Sequence, residues 1–150
     1  WAALMCRTGD PRRRAWKWSE KPLEIPPNRI ELLTHDSERY ADELWWREAR
    51  PDLAMGPGSW GWVAAALRSM AAIERPGHLE SLPLPVLLLA AEHDRLVSFP
   101  AIRRAAARLP AGELVTLGVE ARHELLRETD AVRDKVLAAV DRFLDGAVAR

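Results

Sequence analysis

The chain has 150 residues, enough for one ordinary domain with a real core. Lys plus Arg equals Asp plus Glu, 22 against 22, with 12 of each in residues 1–80 and 10 of each in residues 81–150, so neither half is basic enough to imply nucleic acid as a partner. The single cysteine, Cys6, excludes an internal disulfide and a cysteine-based zinc site and fits a reducing, cytoplasmic setting, and no stretch approaches the length of a membrane span or reads as a signal peptide.

In chain order, the first feature is the residue at position 1, Trp rather than Met, which leads us to expect that the chain begins inside a longer gene product. The stretch from Arg7 to Lys21 is locally basic. It suits either a solvated linker or a place near anionic lipid headgroups, so contact with a membrane is expected to be peripheral if it occurs. Residues 8–30, rich in Pro and Arg, read as irregular. Asp36 or Ser37 can cap a helix through about Arg50, with Tyr40, Leu44 and Trp45 on one side, and Pro51 ends it. Gly56 to Ser59 is a turn, and a second helix runs from Trp60 to about Ile73 with Val63, Leu67 and Met70 at helical spacing.

The composition then changes. All seven tryptophans lie in the first 62 residues, whereas the aliphatic runs come after residue 84. The boundary is expected near Ser81-Leu82-Pro83-Leu84-Pro85, which divides the chain into a mostly helical unit, residues 1–80, and an α/β unit, residues 81–150. Val86 to Ala90 is apolar at every position, the pattern of a parallel strand covered on both faces. Ser98 can cap a helix from Phe99 to Leu109, with Ile102, Ala106 and Leu109 inward, and Pro110-Ala111-Gly112 breaks it. Glu113 to Leu117 is a second short strand. Thr129 or Asp130 opens a last helix to about Asp145, with Val132, Val136, Leu137, Val140, Phe143 and Leu144 as its apolar stripe and Gly146 as its stop. Strand, helix, strand, loop, helix is a doubly wound α/β pattern. Two strands make a poor sheet, so the pattern predicts that further strands belong beside these.

Asp94 and His123 carry the chemistry. In open α/β sheets, functional groups collect at the carboxyl ends of strands, and these two residues sit at the exits of the two predicted strands. Their separation of 29 residues is about one strand–helix–strand crossover, and adjacent strands lie roughly 5 Å apart, so the two loops can meet. A carboxylate that orients an imidazole is two thirds of an acyl-transfer triad. His35, His78 and His93 read as surface residues, with His93 pointing away from Asp94. No His/Asp/Glu spacing suits a metal and no Gly-rich loop follows a strand, so neither a metal nor another cofactor is expected. The third part, a nucleophile, is not found. Pro57-Gly58-Ser59-Trp60-Gly61 has Pro where the elbow's first Gly belongs and no strand before it, which makes Ser59 a helix cap. Ser19, Ser37, Ser69, Ser81, Ser98 and Cys6 lack the small flanking residues.

The block Leu84 to Val97, which holds Pro85-Val86-Leu87-Leu88-Leu89-Ala90-Ala91-Glu92-His93-Asp94, and the block Arg122-His123-Glu124-Leu125-Leu126-Arg127-Glu128 resemble the acid-bearing and histidine-bearing loops of an α/β-hydrolase of the lysophospholipase and monoacylglycerol lipase group, the serine aminopeptidase-like hydrolases. Leu33 to Tyr40 and Gly56 to Trp62 resemble its cap segments. The resemblance covers nearly the whole chain as the C-terminal half of such an enzyme. It implies a partial α/β-hydrolase fold, the last two strands and helices of the doubly wound sheet, under a mostly helical cap. It further implies Asp94 as the acid, His123 as the general base, a lipid or other small ester as substrate, and a nucleophilic serine and oxyanion hole in an N-terminal half not contained in these residues. On this reading the chain by itself is inactive. The alternative is a hydrolase remnant that performs no chemistry and serves as a binding or regulatory module. The tryptophans of the first unit either pack the lid's own core or offer apolar surface to an acyl chain.

Overall fold

The computed structural model describes residues 1–15, 29–53 and 57–148. The sequence expectations for Trp16, Trp18, Ser19, Gly56 and the Lys17–Lys21 end of the basic stretch lie outside these residues.

Two parallel strands organise the second unit: β1, Val86–Ala91, and β2, Gly112–Leu117, paired in register from Val86 opposite Gly112 to Ala91 opposite Leu117. A crossover of a dozen or more residues is what a parallel pair needs. It is supplied by α5, Phe99–Arg108, whose N-terminus is capped by the Ser98 hydroxyl accepting from the Ala101 N–H at 3.4 Å. The helix end turns tightly into β2. A Cβ on Gly112 would lie 2.7 Å from the Leu109 Cβ and 3.0 Å from the Ala106 carbonyl, so only glycine fits that approach. The sheet is then covered by α6, Asp130–Val148. Val132, Val136 and Ala139 of this helix are buried, and the first two join Ala91, Leu117 and Ala121 in one core, with Leu89 and Leu125 against it. β1 has one hydrogen-bonded neighbour among the described residues, which leaves its other edge free.

The first unit is helical, at the two helices read from caps and spacing and also at Ala2–Thr8 and Ile30–Leu33. It comprises α1, Ala2–Thr8; the single turn α2, Ile30–Leu33; α3, Ser37–Ala49; a 3-10 turn, Pro51–Leu53; and α4, Trp60–Glu74. Asp36 caps α3 by accepting the Arg39 N–H at 2.9 Å, and Ser59 caps α4 by accepting the Trp62 N–H at 3.1 Å. Helix α1 packs along α4 around Ala2 and Ala64, both buried. The far end of α4 is fastened to α5 by Arg108, whose guanidinium donates to the Ile73 and Arg75 carbonyls and to both oxygens of Glu80. That guanidinium holds the Glu80 carboxyl down at about 2.

Two expectations need correction. Helix α6 does not stop at Gly146 but continues to Val148: no atom comes within 4 Å of the place a Gly146 Cβ would take, and its backbone does not enter the left-handed region. The inward stripe of α6 is narrower than the apolar pattern, for Leu137 and Leu144 are exposed. In the first unit Leu67 and Met70 are exposed, as are Leu44 and Trp45, while Tyr40 on the same helix is buried. A period of 3.6 marks which residues share a face, but the neighbouring elements decide whether that face is covered.

Candidate functional site

Asp94 leaves the end of β1 in a tight turn, its N–H donating to the Ala91 carbonyl at 3.3 Å. One carboxylate oxygen, Oδ1, accepts the backbone N–H groups of Leu96 (2.7 Å) and Val97 (3.1 Å). Those bonds fix the carboxylate plane and aim Oδ2 across to the next loop. The side chain is only 6 % exposed.

Oδ2 meets the Nδ1 of His123 at 2.8 Å. Because a carboxylate can only accept, Nδ1 carries the shared proton and Nε2 is left as the basic nitrogen. His123 is 35 % exposed on its side chain, so the ring has its acid side buried and the rest open to solvent. Burial pushes the Asp94 carboxyl up, but the hydrogen bond from His123 and the two amides outweigh it and hold the group below its ordinary value. The dyad therefore combines a carboxylate kept charged with an imidazole presented in one tautomer. This is what a general base needs at neutral pH.

The histidine loop is held from behind. After β2 the chain turns with the Ala121 N–H on the Gly118 carbonyl, passes His123, and closes in a 3-10 turn, Leu125–Arg127. The N–H groups of His123 and Glu124 donate to the Leu32 (3.4 Å) and Leu33 (2.8 Å) carbonyls of α2. The Arg122 guanidinium donates to the Ile30 and Thr34 carbonyls. Thr34, fully buried, donates to the Arg127 carbonyl at 2.7 Å and accepts the Asp36 N–H.

At the centre of this joint lies Glu128, also fully buried. Its Oε1 accepts from the Arg122 N–H (2.8 Å) and the His35 Nδ1 (3.0 Å). Its Oε2 accepts from the backbone N–H groups of His35 (3.2 Å) and Thr129 (3.3 Å). Sequence reasoning missed both Glu128 and His35. Glu128 stands at the end of the histidine block, two residues before α6, with no role read for it there, and His35 reads as a surface residue. It does lie at the surface, yet its ring is engaged. The readable signal was weak: polar Thr34-His35-Asp36 directly after an apolar turn.

The other sequence candidates stand apart from the dyad's hydrogen bonds. Ser59 is occupied as the cap of α4. His78 and His93 are exposed. His93 lines one groove of about 290 Å³ together with Asp94, Arg95, Glu31, His35 and Arg122. Among the described residues no group of His, Cys, Asp and Glu is arranged to hold a metal ion, and no helix is long and apolar enough to cross a membrane.

Known proteins resemble this chain in sequence and in fold. The sequence profile described as serine aminopeptidase, S33, a hydrolase family, matches residues 12–130. Lysophospholipase L2 of Escherichia coli is 30% identical over 125 residues, 79% of this chain and 36% of that protein. A probable lysophospholipase L2 of Haemophilus influenzae is 28% identical over 95 residues, 63% of this chain and 29% of the relative. The chain thus spans about a third of the length of the curated relatives it matches. Among solved structures, a soluble variant of monoglyceride lipase from Saccharomyces cerevisiae, crystallised with a substrate analogue, superposes with a TM-score of 0.72 at 18% identity, over 97% of this chain and 47% of that one.

Proposed function

The chain belongs to the serine aminopeptidase S33 family of α/β-hydrolases, in its lysophospholipase- and monoglyceride lipase-like group, and from that premise we propose that it carries the acid and the general base of a serine ester hydrolase acting on monoacyl lipids. Asp94 is the acid and His123 the base. The observation that carries this reading is the 2.8 Å bond between the two, formed where adjacent parallel strands end.

A serine contributed by residues outside these 150 attacks the ester carbonyl while the His123 Nε2 takes its proton. The Nδ1–H, held on Asp94, stabilises the imidazolium that results. Backbone N–H groups, also from outside, hold the oxyanion. The imidazolium then returns the proton to the departing alkoxide, which leaves as the alcohol. In the second half, His123 takes a proton from water, the hydroxide displaces the serine oxygen, and the fatty acid is released with the serine reprotonated.

Residues 1–80 act as the cap. Its exposed Trp45, Trp46 and Trp62 support a role in meeting acyl chains, since an indole offers a large apolar face with one polar edge that tolerates a wet boundary. Trp45 and Trp46 pack edge to face, with ring centroids 4.8 Å apart. The same surface suits a peripheral contact with a lipid layer.

The decisive experiment joins this chain to its in-frame upstream sequence and measures fatty-acid release from a lysophospholipid or a monoacylglycerol. Release that is abolished by His123→Ala is the expected result. Release indifferent to His123→Ala, or none from a folded product that contains a Gly-x-Ser-x-Gly elbow, would defeat the assignment.

A further inference from the structure

The geometry points to Glu128 as a positioning residue for His123: its buried carboxylate locks the His123 loop to the segment around His35, so that the imidazole stays seated on Asp94. The role of His123 as base rests on the reading above, whereas the positioning itself does not require turnover.

Three features of the joint carry the inference. Glu128 has no exposed surface, and four N–H groups from three separate stretches of backbone converge on its two oxygens. One of these donors is the Arg122 peptide N–H, directly before His123, so the bond sets the path by which the chain enters the catalytic residue. The His35 N–H and Nδ1 come from the segment that follows α2, the same turn whose Leu32 and Leu33 carbonyls receive the N–H groups of His123 and Glu124. The peptides on both sides of His123 are therefore tied to residues 30–36, and the Glu128 carboxylate grips both the peptide N–H of Arg122 and the His35 segment. Arg39 adds to the joint by donating to the Glu128 carbonyl and to the Asp130 carboxylate.

The physical reason to need such a clamp is plain. A loop carrying an imidazole loses rate when the ring wanders by about 1 Å. Asp94 controls the ring only through a single bond to Nδ1. Rigidity of the backbone beneath must come from elsewhere, and a fully buried carboxylate with four donors is a stiff anchor because releasing any one leaves an unsatisfied polar group in the interior.

The test is an NMR measurement on the chain labelled with 15N. In the unsubstituted protein, the hydrogen-bonded Nδ1 proton of His123 is expected as a downfield resonance protected from solvent exchange. Glu128→Gln replaces one of the two oxygens by an amide nitrogen that only donates, so two of the four N–H groups lose their acceptor whichever oxygen is replaced, and we expect this proton to exchange about tenfold faster or more while the β1–β2 amides keep their protection. Thr34→Val, which removes a bond of the same joint without touching the carboxylate, is expected to lower stability but leave the exchange rate within about twofold. His35→Ala, a milder change at a partly exposed residue, gives a second reading if Glu128→Gln does not fold, with an expected acceleration of about threefold.

An unchanged rate in Glu128→Gln or His35→Ala overturns the inference, as does an equal acceleration in Thr34→Val, which would mark general loosening. No protected Nδ1 proton in the unsubstituted chain would instead remove the Asp94–His123 dyad and, with it, the hydrolase reading.

Discussion

At the scale of single residues, the dyad has more than one contributor on each side. Asp94 is oriented by two amides before it meets His123, so its hydrogen bond is not a product of the pair alone. Asp94→Asn keeps the shape but presents an amide that can no longer accept as a charge, and Nδ1 loses its fixed tautomer. In the enzyme joined to its upstream sequence, this change is expected to lower kcat on the order of 10³–10⁴-fold with KM little altered, as steady-state kinetics would read. A second consequence concerns acid. The folded carboxyl of Asp94 sits below its unfolded value of about 3.9, so its contribution to stability is full above that pH and fades as pH falls through the lower folded value. Urea midpoints from pH 5 to pH 2 should therefore drop more steeply for the unsubstituted chain than for Asp94→Asn. Parallel curves would contradict the shift.

At the scale of elements, two places govern whether the strands hold the dyad in position. Gly112 lets the end of α5 fold directly onto β2, and an added methyl would meet the Leu109 Cβ and the Ala106 carbonyl, both part of the helix end. Neither neighbour is the far tip of a flexible side chain. Gly112→Ala is expected to cost about 1–3 kcal/mol through overpacking, measured by chemical denaturation. Val136 is 1 % exposed at the centre of the face that α6 lays on the sheet. Val136→Ala removes two methyl groups from a site with little room to collapse, for an expected loss of roughly 2–3 kcal/mol in the same assay. The elements themselves were largely legible from the sequence. Asp36, Ser59 and Ser98 each begin a helix because a side-chain oxygen satisfies an N–H that the first turn leaves free. The single turn α2 was not legible, since four residues carry no period, and its existence depends on the histidine loop that pairs with it.

At the scale of the whole molecule, β1 is a strand with the sequence of a sheet interior and the surroundings of a sheet edge. Residues Val86 to Leu89 are only half-buried although all are aliphatic, and among the described residues one edge of β1 has no hydrogen-bonded strand beside it. Leu137 and Leu144 on α6, and Leu67, Met70 and Ile73 on α4, add uncovered apolar surface. By itself, the 150-residue chain is therefore expected to self-associate in a concentration-dependent way in analytical ultracentrifugation. A single monomeric species with a sharp, cooperative melt would count against this. Mixing in a polypeptide that supplies the neighbouring strands should reverse the association.

The sequence by itself determined the two strands, the helices that follow Asp36, Ser59, Ser98 and Thr129, the placing of Asp94 and His123 at strand exits, and the absence of a Gly-x-Ser-x-Gly elbow within these residues. All of these follow from local rules: period, capping chemistry and the residue types a strained turn accepts. Only the tertiary structure decided that Asp94 and His123 touch, that Leu67 and Leu137 face outward, and that Glu128 is buried beneath the histidine with His35 upon it. The reason is that burial and hydrogen-bond partnership are properties of pairs of segments. Thr34 and Arg127 are 93 residues apart in sequence yet 2.7 Å apart between bonded atoms, and no pattern within either segment encodes the other.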